Sequence, residues 1–157
     1  MIRFDSAALG LAGLLLAVTG AQAQEPATCD PATDRCSGLV RLVAEGDQTF
    51  ATVSLQVGKS RADAVLFVIA PLGIAARPGV RIVANPGAVE IPLPLDVCFP
   101  DGCRASADLS AEQLAQVTGA QTLSVQFIPF SSTETVSGEL AVADLIAPLR
   151  QAGVNLP

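Results

Sequence analysis

Three acidic residues surround a pair of cysteines in the second half of the chain. Asp96 precedes Cys98, Asp101 lies between Cys98 and Cys103, and Asp108 follows Cys103. Two carboxylates that approach each other can act as general acid and base or bind a calcium ion. Structural duties explain the three acids better, because Asp101 lies in a turn, Asp96 lies on the polar face of a strand and Asp108 adjoins a helix start. We therefore predict no catalytic residue, no cofactor and no metal site.

The other routes to catalysis are limited by the composition. The chain contains no His, which removes the imidazole general base, the Ser-His-Asp triad and every His-ligated metal site. Lys59 has Ser54 and Ser60 nearby, but it falls in an apparent hairpin turn, where an exposed lysine is protonated and is a poor base. The net charge of −6, without basic clusters, argues against nucleic acid and anionic membranes as partners.

The N-terminus has the pattern of a cleaved secretory signal peptide, residues 1–23. Arg3 precedes an apolar stretch over residues 7–20, which is too short to cross a membrane, and Ala21 and Ala23 supply a small-residue cleavage pattern. We predict cleavage between Ala23 and Gln24 and no membrane span afterwards. Residues 24–157 are then expected to form one exported domain, periplasmic or secreted.

All four cysteines follow the predicted cleavage site, as the pairs Cys29 with Cys36 and Cys98 with Cys103. An even number of cysteines in an exported chain is typical of disulfides. Three connectivities are possible, and the turn-forming residues inside each pair favour the two local bridges. A zinc site and a redox-active pair are the alternatives, but neither pair has the C-x-x-C spacing that is typical of both.

Apolar and polar residues alternate through most of the remaining chain, which predicts half-buried antiparallel strands. Several short strands separated by turn residues indicate a β-sandwich or a small barrel. The predicted strands cover residues 37–44, 48–57, 64–70, 80–84, 89–97, 121–128 and 134–140. The phenylalanines Phe50, Phe67, Phe99, Phe127 and Phe130 are expected to be ordinary core or edge residues.

Proline and capping signals refine this outline. Pro92 and Pro94 lack N–H groups on the same side of one segment, which predicts a sheet edge or a bulge there. Ser110 and Gln113 form a capping-box pattern, which predicts a short helix from Ser110 to a stop at Gly119. A second helical segment is expected over residues 141–152, interrupted by Pro148.

Three sequence elements occur in a familiar order. They are PLGI at residues 71–74, RPGVRI at residues 77–82 and CFPDGCRA at residues 98–105. The chain thereby resembles the invasion-associated locus B family of exported Gram-negative bacterial proteins. The resemblance implies a β-sandwich of immunoglobulin-like architecture and gives no catalytic residues to transfer. The chain departs from the family pattern in lacking a Trp before Cys29 and a Gly-Phe pair near the C-terminus.

Three functions are compatible with these observations. The first is a non-catalytic exported β-sandwich that binds a protein or an envelope component. The second is an envelope redox or hydrolytic enzyme that uses Cys98 and Cys103 or the carboxylates around them. The third is a host-facing adhesin or invasion factor, as the family name suggests. We favour the first, because the sequence offers no nucleophile–base pair.

Overall fold

The computed structural model describes residues 25–44, 47–59, 63–86 and 89–157. The predicted signal peptide lies outside the described residues. The elements in chain order are β1 (Thr28–Asp30), β2 (Arg35–Val43), β3 (Thr49–Gly58), β4 (Ala64–Ala70), β5 (Val80–Asn85), β6 (Val89–Leu93), β7 (Leu95–Phe99), β8 (Gly102–Leu109), α1 (Ala111–Gly119), β9 (Thr122–Phe127), β10 (Val136–Ala141) and α2 (Val142–Gln151). Within this part of the chain, no helix is long and apolar enough to cross a membrane.

The strands form two antiparallel sheets that pack face to face. One sheet has the order β1-β2-β3-β4-β8-β7, and the other has the order β10-β9-β5-β6. The alternating side chains of β3 and β9 bury their apolar faces between the sheets, with Leu55 and Leu123 fully buried. Phe50 on β3 stacks on Phe127 of β9, with 4.9 Å between the ring centroids. The prediction of a β-sandwich is confirmed.

Six of the predicted strands are present, with ends that move by no more than two residues. The segment over residues 89–97 is different, because the prediction of one continuous strand is wrong. The chain forms β6 in the four-stranded sheet, passes through Pro94 and then forms β7 in the six-stranded sheet. Pro94 cannot donate to a ladder, so pairing ends there and the chain changes sheets. Both strands lie at sheet edges, as the prolines predicted.

The strand β8 was not predicted. Its inward residues include Cys103, Ala105 and Leu109, which are small or moderate in size, and it contains no Val, Ile or Thr. Pairing with β4 on one side and β7 on the other holds this segment extended in spite of its weak local preference.

Both helices lie where the sequence predicted them. Ser110 Oγ accepts the Gln113 N–H, and the Gln113 side chain accepts the Ser110 N–H, which completes the capping box. The sequence predicted a kink or two short turns at Pro148, and the structure has one continuous ten-residue helix, α2, through that proline. It packs beside β2, where a Cβ at Gly38 would collide with the Leu145 carbonyl oxygen.

Candidate functional site

The structure gives Asp96 and Asp101 separate partners and holds Asp101 apart from Asp108. Asp96 accepts a hydrogen bond from Ser106 at 2.6 Å, and Asp101 is bound by Arg104. Asp101 precedes β8 and Asp108 lies near its far end, so about 20 Å of extended strand separates their backbones, at ~3.3 Å per residue. Across the described ranges, no three His, Cys, Asp or Glu side chains are grouped so that they could hold a metal ion.

The structure gives the residues of the Ser–Lys alternative different surroundings. Ser54 is 6% exposed, and its Oγ lies 2.7 Å from Ser37 Oγ, in a hydroxyl pair on the outer face of the six-stranded sheet. Lys59 lies beyond the end of β3 and is exposed. Ser60 lies outside the described residues.

The structure joins Cys29 to Cys36 and Cys98 to Cys103. In each pair the two residues face each other directly across two antiparallel strands, with Cα atoms 4.0 and 3.9 Å apart. The first bridge ties the edge strand β1 to β2, and the second ties the edge strand β7 to β8. Each bridge therefore fixes one edge strand of the six-stranded sheet, and the two bridges lie at opposite edges of that sheet.

The loops that connect β4 to β5, β7 to β8 and β9 to β10 lie at one end of the sandwich, which we name the loop end. They cover residues 71–79, 100–101 and 128–135. Backbone contacts hold the first and third loops together, since Phe130 N–H donates to the Gly73 carbonyl at 2.7 Å and Ala75 N–H to the Ile128 carbonyl at 2.8 Å. The helices α1 and α2 lie at the opposite, helical end.

Three large apolar side chains in or next to these loops are exposed. Leu72 is 55% exposed, Phe99 is 49% exposed and Phe130 is 80% exposed. The expectation that Phe99 and Phe130 are core or edge residues holds for Phe99, which ends the edge strand β7, and is wrong for Phe130. Burying such side chains against a partner releases water from apolar surface and favours association.

A groove of about 410 Å³ opens beside Leu72. Its walls come from β2, β3 and the end of β4, together with the first two loop regions. The lining residues are Arg41, Thr49, Phe50, Ala51, Thr52, Ile69, Ala70, Pro71, Leu72, Pro100 and Asp101. The groove thus combines apolar walls with a guanidinium and a carboxylate at its margins, which suits a mixed peptide-like surface.

Arg104 fixes the turn between β7 and β8. Its guanidinium donates two hydrogen bonds to the Asp101 carboxylate, at 2.8 and 2.7 Å, and a third to the Gly102 carbonyl at 3.1 Å. The hydrogen bonds from Arg104 hold the pKa of Asp101 below its usual range, and Asp101 raises the pKa of Arg104. The guanidinium also lies over the Phe99 ring, 4.7 Å from its centroid, and so orients that exposed side chain.

Two glycines of the sequence elements noted above are required by this end of the molecule. Gly102 has a φ of +140°, and a Cβ there would lie 2.6 Å from the Ala70 carbonyl oxygen. Gly79 has a φ of +64°, and a Cβ there would lie 2.5 Å from the Leu93 carbonyl oxygen. Both positions exclude a side chain, so the elements around these glycines specify the close packing of the loop end.

The sequence did not lead us to predict that these exposed residues of the loop end form a group. The signal that could have found Phe130 is an aromatic residue inside a run of turn-forming residues, Pro129 before it and Ser131, Ser132 and Thr133 after it. Leu72 gave a weaker signal, because one leucine beside a proline and a glycine does not show whether it faces the core.

Comparison with known proteins agrees with these motifs. The family model described as Invasion associated locus B (IalB) protein matches residues 21–151. The chain belongs to this family. Its fold is similar to the crystal structure of invasion associated protein B from Bartonella henselae, with a TM-score of 0.68 at 14% sequence identity. That similarity covers 80% of this chain and 88% of the Bartonella chain, and at this identity it speaks for the shared fold. Among curated proteins, no sequence match is found.

Proposed function

We propose that this IalB-family chain is an exported, non-catalytic protein that binds a protein or envelope partner through the loop end. The single observation that carries the proposal is the exposure of Leu72, Phe99 and Phe130 at one end of the sandwich, where Leu72 also lines a groove. Loops on a rigid β-scaffold are a common location for binding residues. Large exposed apolar side chains grouped in this way mark interaction sites more often than isolated ones do.

Export is proposed on the sequence pattern of residues 1–23, with cleavage between Ala23 and Gln24. The two disulfides support it, because disulfides persist in oxidising compartments such as the periplasm. Residues 24–157 are proposed to function as one domain. Cell fractionation distinguishes a periplasmic location from a secreted or host-facing one, since a protein confined to the periplasm does not touch a host cell.

The competing function is an envelope redox or hydrolytic enzyme that uses Cys98 and Cys103 or the nearby carboxylates. A redox role requires a disulfide that exchanges under native conditions. Thiol titration of the native protein during exposure to a mild thiol reductant tests this directly. We expect no thiol to appear, whereas rapid release of two thiols would favour the redox function.

The binding role is tested by affinity capture from native envelope extracts with the oxidised protein as bait. The test variant carries Leu72→Ser and Phe130→Ser, and the matched control carries Ala115→Ser and Ala143→Ser on exposed faces of α1 and α2. Losing two exposed apolar anchors is expected to reduce recovery of the same partner by about tenfold, while the control retains it. Equal recovery by the two variants would overturn the loop end as the binding surface.

A further inference from the structure

Four strands end the two sheets, and three of them carry features that hinder pairing with another strand. β1 is three residues long, β6 contains Pro92, and β7 has a register shift between Leu95 and Val97. Short strands, prolines and bulges are the usual protections of a sheet edge. β10 has none of them, because Val136–Ala141 pairs with β9 in one continuous register and contains no proline.

The open side of β10 offers backbone groups that point away from the sheet. Val142 N–H donates to the Gln121 carbonyl at 3.0 Å, and this pair continues the register in which Ala141 faces Thr122. Hydrogen-bonded and non-hydrogen-bonded pairs alternate along an antiparallel ladder. Ser137, Glu139 and Ala141 therefore direct their N–H and C=O groups outward, and their side chains are exposed.

The charge around this edge selects the kind of strand that fits it. The two strands at this edge, β9 and β10, contain no Lys or Arg, and Glu139 lies on β10 with Glu134 two residues before it. Arg35 pairs with Asp63, Arg81 with Glu90 and Arg104 with Asp101, so none of these three arginines is paired with Glu139. A basic side chain on an added strand would neutralise Glu139, since opposite charges across a strand pair are favourable.

A second copy of this chain is a poorer occupant. When two β10 strands pair antiparallel about a two-fold axis over their full length, Glu139 lies opposite or diagonally beside Glu139 of the copy. Like charges at such positions are destabilising. The edge is thus suited to a different protein.

We propose that the outer edge of β10 accepts an extended segment of a partner protein, bearing Lys or Arg beside Glu139, as an additional strand. This inference rests on the proposed binding role and adds a second contact surface with a defined class of ligand. Main-chain hydrogen bonds to Ser137, Glu139 and Ala141 supply the affinity, and the basic residue supplies the selectivity.

The test is a selection of displayed random decapeptides against the whole oxidised protein, followed by affinity measurements on the selected peptides. Ser137→Pro removes one outward N–H and places a ring in the path of an added strand, whereas Ser137→Ala keeps the backbone and serves as the matched control. We expect selected peptides enriched in Lys and Arg, a loss of affinity of about tenfold or more with Ser137→Pro, and a change of less than about twofold with Ser137→Ala.

Glu139→Lys keeps the test decisive if Ser137→Pro does not fold, which circular dichroism would reveal. This variant should weaken the basic peptides and turn a repeated selection towards acidic ones. The proposal is overturned if the selection yields no peptides, if the peptides show no basic enrichment, or if their affinity is unchanged in Ser137→Pro. If the peptide affinity is unchanged in Ser137→Pro while the Leu72→Ser and Phe130→Ser variant still loses partner capture, the edge of β10 is excluded as a binding surface and the proposed function stands.

Discussion

The two ends of the sandwich differ in whether their large apolar side chains are buried or exposed. At the helical end, α1 and α2 bury Leu114, Val117, Leu145 and Leu149 against the sheets. At the loop end, Leu72, Phe99 and Phe130 are exposed, and a groove opens beside Leu72. One end therefore contributes strongly to stability, while the other leaves apolar surface exposed.

The backbone of both ends is nevertheless firmly held. The capping box anchors α1 at the helical end, and Thr118 Oγ donates to the Leu114 carbonyl at 2.9 Å. At the loop end, the Arg104–Asp101 pair and the second disulfide hold the turn between β7 and β8. The loop end thus has exposed side chains on an ordered backbone. Such order lowers the conformational entropy lost when a partner binds.

The largest expected difference between the two ends is the cost of truncating a leucine. Leu149→Ala should lower the free energy of unfolding by about 2–5 kcal/mol, because Leu149 is fully buried and its loss leaves a cavity. Leu72→Ala should change it by less than about 0.5 kcal/mol, since that side chain is largely exposed. Urea unfolding of both variants measures the contrast, and equal costs would refute the division between the ends.

The disulfides provide a matched pair of variants, one for each end. Replacing both cysteines of a pair with serine should cost about 2.5 kcal/mol for Cys29–Cys36 and about 2.2 kcal/mol for Cys98–Cys103, because each bridge closes a short loop. Urea unfolding measures both costs. Partner capture separates them, because only loss of the Cys98–Cys103 bridge releases the turn at the loop end, and an equal loss of capture in both variants would contradict this assignment.

Close packing at the helical end can be tested with a glycine pair. Gly38→Ala should cost about 1–3 kcal/mol, because its Cβ collides with the Leu145 carbonyl oxygen and α2 must shift. Gly119→Ala, with no atom within 4 Å of its Cβ, should be neutral or stabilising by up to about 1 kcal/mol. Thermal unfolding of both variants checks the sign, and a tolerated Gly38→Ala would show that α2 does not pack closely on β2.

The smallest expected effect is electrostatic and lies at the loop end. Arg104 lowers the pKa of Asp101 below 3.8, so the pair stabilises the fold fully above pH 3.8 and loses this contribution as the pH falls through the lowered value. Arg104→Gln should raise the pKa of Asp101 towards its usual range, and Arg104→Lys should restore part of the shift. NMR titration of the Asp101 carboxyl measures this, and an unchanged pKa in Arg104→Gln would exclude the guanidinium as its cause.

Local patterns in the sequence predicted most of the fold. Alternation located six strands, and the capping residues Ser110 and Gln113 located the start of α1. β8 escaped because its extended form depends on its neighbours β4 and β7, which no local pattern reveals. The change of sheet at Pro94 was not predicted for a related reason. Two prolines predict an edge strand, but they do not show that the chain passes from the edge of one sheet to the edge of the other.

The candidate site was less accessible from the sequence. The turn-forming residues inside each cysteine pair favoured the two bridges that the structure contains. The exposure of Leu72 and Phe130 depends on how three separate loops meet, and residue type alone predicts burial for both. Glu139 is likewise an ordinary surface acid until the sheet order shows that it lies on an unprotected edge.

The most direct test of the central claim is site-specific photo-crosslinking in native envelope extracts. One protein carries a photo-reactive residue in place of Phe130 at the loop end, and the control carries it in place of Ala115 on the exposed face of α1. The loop-end account predicts one discrete crosslinked partner from position 130 and none of that mass from position 115. The same product from both positions, or from position 115 alone, would contradict it.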